Sequence, residues 1–156
     1  MSGKLAVGAP APAFDLPRDG GGSLSLASLA GKKVVLYFYP KDDTPGCTRE
    51  AIDFNGLRKE FEAAGAVVIG VSPDSVASHA KFLKKHDLAL PLLSDETKAM
   101  LEAYGVWAEK SMYGRTYMGV ERTTVLIDAD GRIARIWNKV KVPGHAADLL
   151  EAARTA

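Results

Sequence analysis

Apolar positions along this chain switch between two periods, and the switching outlines strands and helices in turn. Residues 34–39 read Val-Val-Leu-Tyr-Phe-Tyr, an unbroken apolar run rich in β-branched and aromatic side chains. Such a run predicts a strand buried on both faces, as in a parallel sheet. From Pro45 to about Ala64 the period changes. Ala51, Phe54, Leu57 and Phe61 recur at helical spacing, which predicts an amphipathic helix. Residues 66–71 predict a second buried strand. Residues 75–86 predict a second helix, with Ala80, Leu83 and Val76 as its inward positions. A short strand near Leu92 and Leu93 and a helix from Glu96 to about Tyr104 follow. Residues 123–127 and 132–137 predict a hairpin turned by Asp128-Ala129-Asp130-Gly131, and residues 145–154 a closing helix. Gly20-Gly21-Gly22 lies before the alternation Ser23-Leu24-Ser25-Leu26. It predicts a hairpin or loop, because glycine tolerates positive φ. No helix start or Lys-Ser/Thr pair follows it, so it is not a phosphate loop.

The order β-α-β-α, an insertion, then β-β-α predicts an α/β protein. It fits a thioredoxin-like three-layer α/β/α sandwich with an N-terminal extension over the first thirty or so residues. One domain is expected, spanning residues 4–156. Residues 105–121 follow neither period, although they contain Trp107, Met112, Tyr113, Tyr117 and Met118. A long aromatic loop of this kind either packs down as a satellite of the core or lines a pocket mouth.

Composition narrows the function. The chain has 156 residues, 47% of them apolar and 25% charged, enough for one buried core and unlike a disordered or membrane chain. Twenty Lys and Arg against 19 Asp and Glu leave a net charge of +1. That balance supplies no electrostatic attraction for nucleic acid or an anionic membrane. The longest apolar run is too short to span a bilayer, and Met1-Ser2-Gly3-Lys4 does not resemble a signal peptide. The single cysteine, Cys47, cannot form an internal disulfide. These points lead to an expected location in a reducing cytoplasm.

Candidate chemistry concentrates in residues 39–50, Tyr-Pro-Lys-Asp-Asp-Thr-Pro-Gly-Cys-Thr-Arg-Glu. A strand ends at Tyr39. Thr44 is a good N-cap residue, and Pro45 suits the first helical position. Cys47 then falls in the first turn, where unpaired backbone N–H groups and the positive dipole end favour an anion. The thiolate is the reactive form of cysteine. A lone cysteine is more often a small buried hydrophobe, but a capped first turn directly after a buried strand argues for chemistry. Helical spacing puts Cys47 at the edge of the buried stripe and within reach of solvent. Arg122 directly precedes the strand 123–127, whose entrance faces the start of the first core helix in a thioredoxin-like sheet. It is expected opposite Cys47, where a fixed guanidinium charge would favour the thiolate. Without that topology it would read as a surface arginine. Glu50, one turn after Cys47, either orients the guanidinium or is a solvated helix carboxylate. His79, His86 and His145 have no cysteine or carboxylate at metal-site spacing and are expected on the surface. No metal or cofactor is expected. Trp107 and Trp137 are expected to line the core or a pocket.

The pattern Pro40-x-x-x-Thr44-x-x-Cys47 resembles the signature of the peroxiredoxins. The string from Lys41 to Thr48, with Glu50-Ala51 and Asp53-Phe54 after it, resembles the PrxQ class, also called bacterioferritin comigratory proteins. The resemblance continues in Gly70-Val71-Ser72-Pro73-Asp74, in Leu92-Leu93-Ser94-Asp95 and from Tyr117 to Thr124. It implies a peroxiredoxin fold and a thiol peroxidase that acts on hydrogen peroxide and organic hydroperoxides. It implies that Cys47 is the peroxidatic cysteine, that Thr44 hydrogen-bonds the sulfur and the peroxide, that Pro40 shields the site from water, and that Arg122 supports the thiolate. Many PrxQ proteins carry a second, resolving cysteine where this chain has Ile52 or Leu83. Recycling is therefore expected to use an external thiol, thioredoxin or glutathione with glutaredoxin, on a monomer or weak homodimer. A thioredoxin-type dithiol enzyme is the first rival, but Thr44 stands where its first cysteine would be. A non-enzymatic binding module would have no use for the combination of Pro40, Thr44, Cys47 and Arg122.

Overall fold

The computed structural model describes residues 5–156. Residues Met1–Lys4, and with them the expected domain start at residue 4, lie outside the described residues.

Five strands make the central sheet: β3 (Lys33–Phe38), β4 (Ala66–Ser72), β5 (Leu92–Ser94), β8 (Thr123–Ile127) and β9 (Ile133–Trp137). Before them, β1 (Asp15–Pro17) and β2 (Ser23–Ser25) pair antiparallel across the three glycines, all at positive φ. A 3-10 helix at Ala27–Leu29 completes the N-terminal extension. The helices are α1 (Pro45–Gly56), α2 (Arg58–Ala63), α3 (Val76–His86), α4 (Ala99–Ala103) and α5 (His145–Thr155). The sheet order is β5-β4-β3-β8-β9. Strands β3, β4 and β5 run parallel; β8 is antiparallel to β3, and β9 is antiparallel to β8.

Strand β3 lies at the centre, and its side chains supply both layers of the core. Val35, Tyr37 and Tyr39 face the layer of α1, α2, α5 and Phe82 of α3. Val34, Leu36 and Phe38 face α4 and the N-terminal extension. Burying each such side chain contributes about 1.5–3 kcal/mol, which explains the uninterrupted apolar run. Tyr37 also constrains its neighbour on β4. A Cβ on Gly70 would meet Tyr37 Cζ at 2.7 Å and Leu92 Cδ2 at 2.6 Å, so glycine is required there by close approach.

Four expectations are corrected. First, residues 105–121 are not irregular. Trp107–Met112 (β6) and Arg115–Val120 (β7) form an antiparallel hairpin around Tyr113 and Gly114, both at positive φ. Period-two alternation fails here because the hairpin stands away from the core on most of its length; Tyr113 is 98% exposed. Trp107 packs on the core at the hairpin's base.

Second, the inward face of α3 carries His79 and Phe82 rather than Ala80 and Val76, with Leu83 only partly buried. Third, two of the three histidines are buried. His79 is fully inaccessible, and His145 packs edge-on between Phe54 and Trp137 with its Nε2 2.8 Å from Thr124 Oγ1. Burial pushes the His145 pKa below its ordinary value. Only His86 stays partly exposed, against Asp43 at 3.0 Å. Polarity alone suggested the surface, whereas partners distant in the chain supply the hydrogen bonds that make burial tolerable. The long helix expected over 45–64 is also divided, since Leu57 leaves helical geometry between α1 and α2. Among the described residues, no helix is long and apolar enough to cross a membrane.

Candidate active site

Sheet register brings the site together. Phe38, the last residue of β3, lies opposite Thr123, the first of β8. Tyr39 and Arg122 therefore leave the same edge of the sheet side by side. The chain after Tyr39 makes a short loop and enters α1, so Cys47, its third residue, sits over that edge.

The loop is held by its own chemistry. Asp43 takes a left-handed conformation, φ 59°, which Asp tolerates better than most residues. Thr44 is the N-cap, with extended backbone (φ −98°, ψ 154°), and its carbonyl accepts the Thr48 N–H at 2.8 Å. Its hydroxyl does not cap the helix. It donates instead to the Lys41 carbonyl at 2.8 Å, tightening the turn. Pro40 is partly buried at the loop's start.

Cys47 is 2% exposed, which is more enclosed than helical spacing suggested. Its sulfur receives a hydrogen bond from Arg122 Nη2 at 3.2 Å. The other amino group, Nη1, donates to Glu50 Oε1 at 2.7 Å. One guanidinium thus bridges the thiol and the carboxylate, as its planar fork allows. Glu50 is 1% exposed, so the solvated alternative is removed. Burial is the largest influence on Glu50 and outweighs Arg122, pushing its pKa up to about 7. For Arg122, whose side chain is 18% exposed, burial opposes the charge. Glu50 and Cys47 overcome it and hold the guanidinium above its ordinary value. The two directions are compatible: Glu50 is the more deeply buried partner and bears the larger desolvation cost. Among the described residues its Oε2 has no partner.

Sequence reasoning missed the polar cluster behind the loop. Asp42 is buried, and its carboxylate accepts hydrogen bonds from Tyr39 Oη at 2.6 Å and Ser78 Oγ at 2.8 Å. His79 Nδ1 lies 2.7 Å from the same carboxylate, and Nε2 lies 2.9 Å from the Leu93 carbonyl. The Asp42 N–H donates to Asp74 Oδ2 at 2.8 Å, which also accepts from Ser72 Oγ. Asp42, Asp74 and His79 therefore stand within 4.8 Å of one another, despite lacking metal-type spacing in the chain. Their facing atoms are already engaged with protein donors and acceptors. The Asp-Asp pair at 42–43 beside a lone mid-helix histidine was the one available signal. Ile52 is exposed on α1, and Leu83 is partly buried on α3.

Comparison with known proteins agrees with this geometry. Residues 7–136 match the AhpC/TSA family. The chain is 51% identical to a putative peroxiredoxin Bcp of Coxiella burnetii, over 94% of this chain and 97% of that one. It is 48% identical to peroxiredoxin Bcp of Bacillus subtilis, over 94% of each. The solved structure of the bacterioferritin comigratory protein of Xanthomonas campestris, described for alkyl peroxide reduction, superposes with a TM-score of 0.90 at 44% identity. That match covers 96% of this chain and 98% of the other. A thioredoxin-like sheet carrying a first-turn cysteine thus agrees with similarity along nearly the whole chain, and the protein belongs to the peroxiredoxins of the AhpC/TSA family, thiol peroxidases, in the Bcp/PrxQ group.

Proposed function

We propose that residues 4–156 act as one domain in which Cys47 is the peroxidatic residue, reducing hydrogen peroxide and organic hydroperoxides in a one-cysteine cycle. The Cys47 thiolate attacks one peroxide oxygen. An S–O bond forms, the O–O bond breaks, and the departing hydroxide or alkoxide takes up a proton. Sulfur loses two electrons and becomes a sulfenic acid. Charge grows on the leaving oxygen during this step. The Arg122 guanidinium and the free amides of the first turn of α1 stabilise it from fixed positions. Pro40 and Thr44 wall the approach, and the Thr44 hydroxyl, which donates to the Lys41 carbonyl in this structure, turns to hydrogen-bond the peroxide. Glu50 aims Arg122. The reductant is an external thiol, thioredoxin or glutathione with glutaredoxin, because Ile52 and Leu83 provide no resolving sulfur.

The observation that carries this reading is the 3.2 Å contact between Arg122 Nη2 and the only thiol of the chain. The test is peroxide consumption with added thiol by the natural chain and by Cys47→Ser. The natural chain is expected to turn over, and the serine variant to lose at least about a thousandfold in rate with an unchanged circular dichroism spectrum. Comparable turnover by both would overturn the assignment.

A further inference from the structure

Cys47 is too enclosed for a thiol reductant to reach without movement of the segment that carries it. What holds that segment is unusual in its chemistry. Asp42, four residues past the end of β3 in the loop that leads to Cys47, is tied by its carboxylate to Tyr39, just after β3, and to α3 through Ser78 and His79. His79 continues the tie to the β5 backbone at Leu93. A carbonyl only accepts hydrogen bonds, so His79 Nε2 carries a proton. Nδ1 faces a carboxylate at 2.7 Å, so it carries one too. With both ring nitrogens facing acceptors and zero exposure, the arrangement favours an imidazolium with Asp42 as its counter-ion. Burial opposes that charge, but the hydrogen bond and charge of Asp42 outweigh it and hold the His79 pKa above its ordinary value. The other titratable groups facing the pair include Tyr37 on β3, Tyr39 just after it and Asp74 after β4. Outside the pair, Asp43 adds exposed contacts to Lys85 and His86. A cavity of about 330 Å³ opens between the loop and α3, lined by Asp42, Asp43, Ser75, Ser78 and Lys85 among others. The loop therefore backs onto open space at α3, and polar ties rather than close packing keep it down on that side.

We infer that the Asp42–His79 pair is a latch on the loop that leads into Cys47, and that its opening sets how fast an external thiol recycles the oxidised enzyme. This rests on the proposed one-cysteine cycle. In that cycle a thiol attacks Cys47–SOH, an S–S bond forms, and the hydroxyl leaves as water with the thiol's proton. A second thiol displaces Cys47 as thiolate and forms the external disulfide, so two thiols supply the two electrons. The first of these attacks needs the sulfur uncovered, and on this proposal the first turn of α1 moves when the loop before it leaves α3. His79 is a positioning residue here, distant from the reacting atoms.

The experiment compares natural chain, His79→Gln and Ser78→Ala. Amide hydrogen exchange is measured over residues 40–48 and over β3 and β8, and glutathione attack on preformed Cys47–SOH is followed by intact mass. His79→Gln is expected to speed both exchange in 40–48 and the glutathione step by at least about tenfold, because a broken buried pair leaves an unpaired charge. Exchange in β3 and β8 should change far less, and the peroxide step should stay level or slow. Ser78→Ala, which removes one hydrogen bond and keeps the pair, should give a smaller change of the same sign, and it serves as the test should His79→Gln not fold. Unchanged glutathione attack in a folded variant, or faster exchange spread evenly over the sheet, overturns the latch. Absence of a sulfenic acid in the natural chain would instead overturn the one-cysteine cycle, and the exchange data would still judge the latch.

Discussion

Arg122 Nη2 lies 3.2 Å from Cys47 Sγ, although 75 positions separate the two residues in the chain. The antiparallel pairing of Phe38 with Thr123 makes the contact, by starting β8 where β3 ends. The same guanidinium holds Glu50 at 2.7 Å, so three chemical groups share one fixed geometry.

Replacing Arg122 by Met should slow the peroxide reaction by about a hundredfold to a thousandfold, the usual cost of removing one fixed donor at developing charge. It should also move the Glu50 titration higher than about 7, because burial would act without the opposing cation. Stopped-flow kinetics and carboxyl titration by NMR check the two effects. Intact kinetics in a folded variant would show that Arg122 does not act on the reacting atoms.

Gly46 separates Thr44 and Pro45 from Cys47, and a Cβ there would meet Arg122 Nη2 at 3.3 Å. Gly46→Ala should therefore displace the guanidinium by a few tenths of an ångström. Its backbone φ is not positive, and alanine favours helix over glycine by up to about 1 kcal/mol. The expected outcome is opposite in sign for two measurements: thermal stability held or raised, peroxide rate lowered. A loss of stability at an unchanged rate would contradict the placement of Arg122 over Gly46.

Glu50 yields a pH prediction. Folded, it keeps its proton up to about pH 7; in the unfolded chain it releases it near 4.5. The folded state binds more protons across that window, so this group makes stability fall as pH rises from about 4.5 to about 7, and its effect is constant on either side. The full span is on the order of 3 kcal/mol. Glu50→Gln should remove this part of the slope. Urea midpoints measured from pH 4 to pH 8 for both proteins test it, and parallel curves would refute it.

Excess peroxide without thiol should add one, two and then three oxygens to Cys47 and inactivate the enzyme, since sulfinic acid is not reduced by simple thiols. Leu83→Cys should permit an internal disulfide and suppress that series. The two positions lie on separate helices, α1 and α3, so the bond requires the first turn of α1 to unwind. Non-reducing intact mass distinguishes the forms. Equal resistance of both proteins would point to protection of Cys47 by another route, such as a disulfide between two copies.

Local information determined much of this protein. The buried run at 34–39 could only be a central strand, Thr44-Pro45 could only start a helix there, and Cys47 was thereby set in its first turn. These features depend on neighbours a few residues away, which the chain states directly. The thioredoxin-like order of elements also followed, and with it the approach of Arg122. The β6–β7 hairpin was not legible, because a hairpin standing clear of the core has no buried face to impress a period on its residues. Nor was the burial of Glu50, His79 and His145. A polar side chain looks like a surface residue until its partners are known, and the partners Arg122, Asp42 with Leu93, and Thr124 are supplied by other elements of the fold. Only tertiary structure decides whether a buried charge is paired, because the pairing energy lies between segments that the sequence keeps apart.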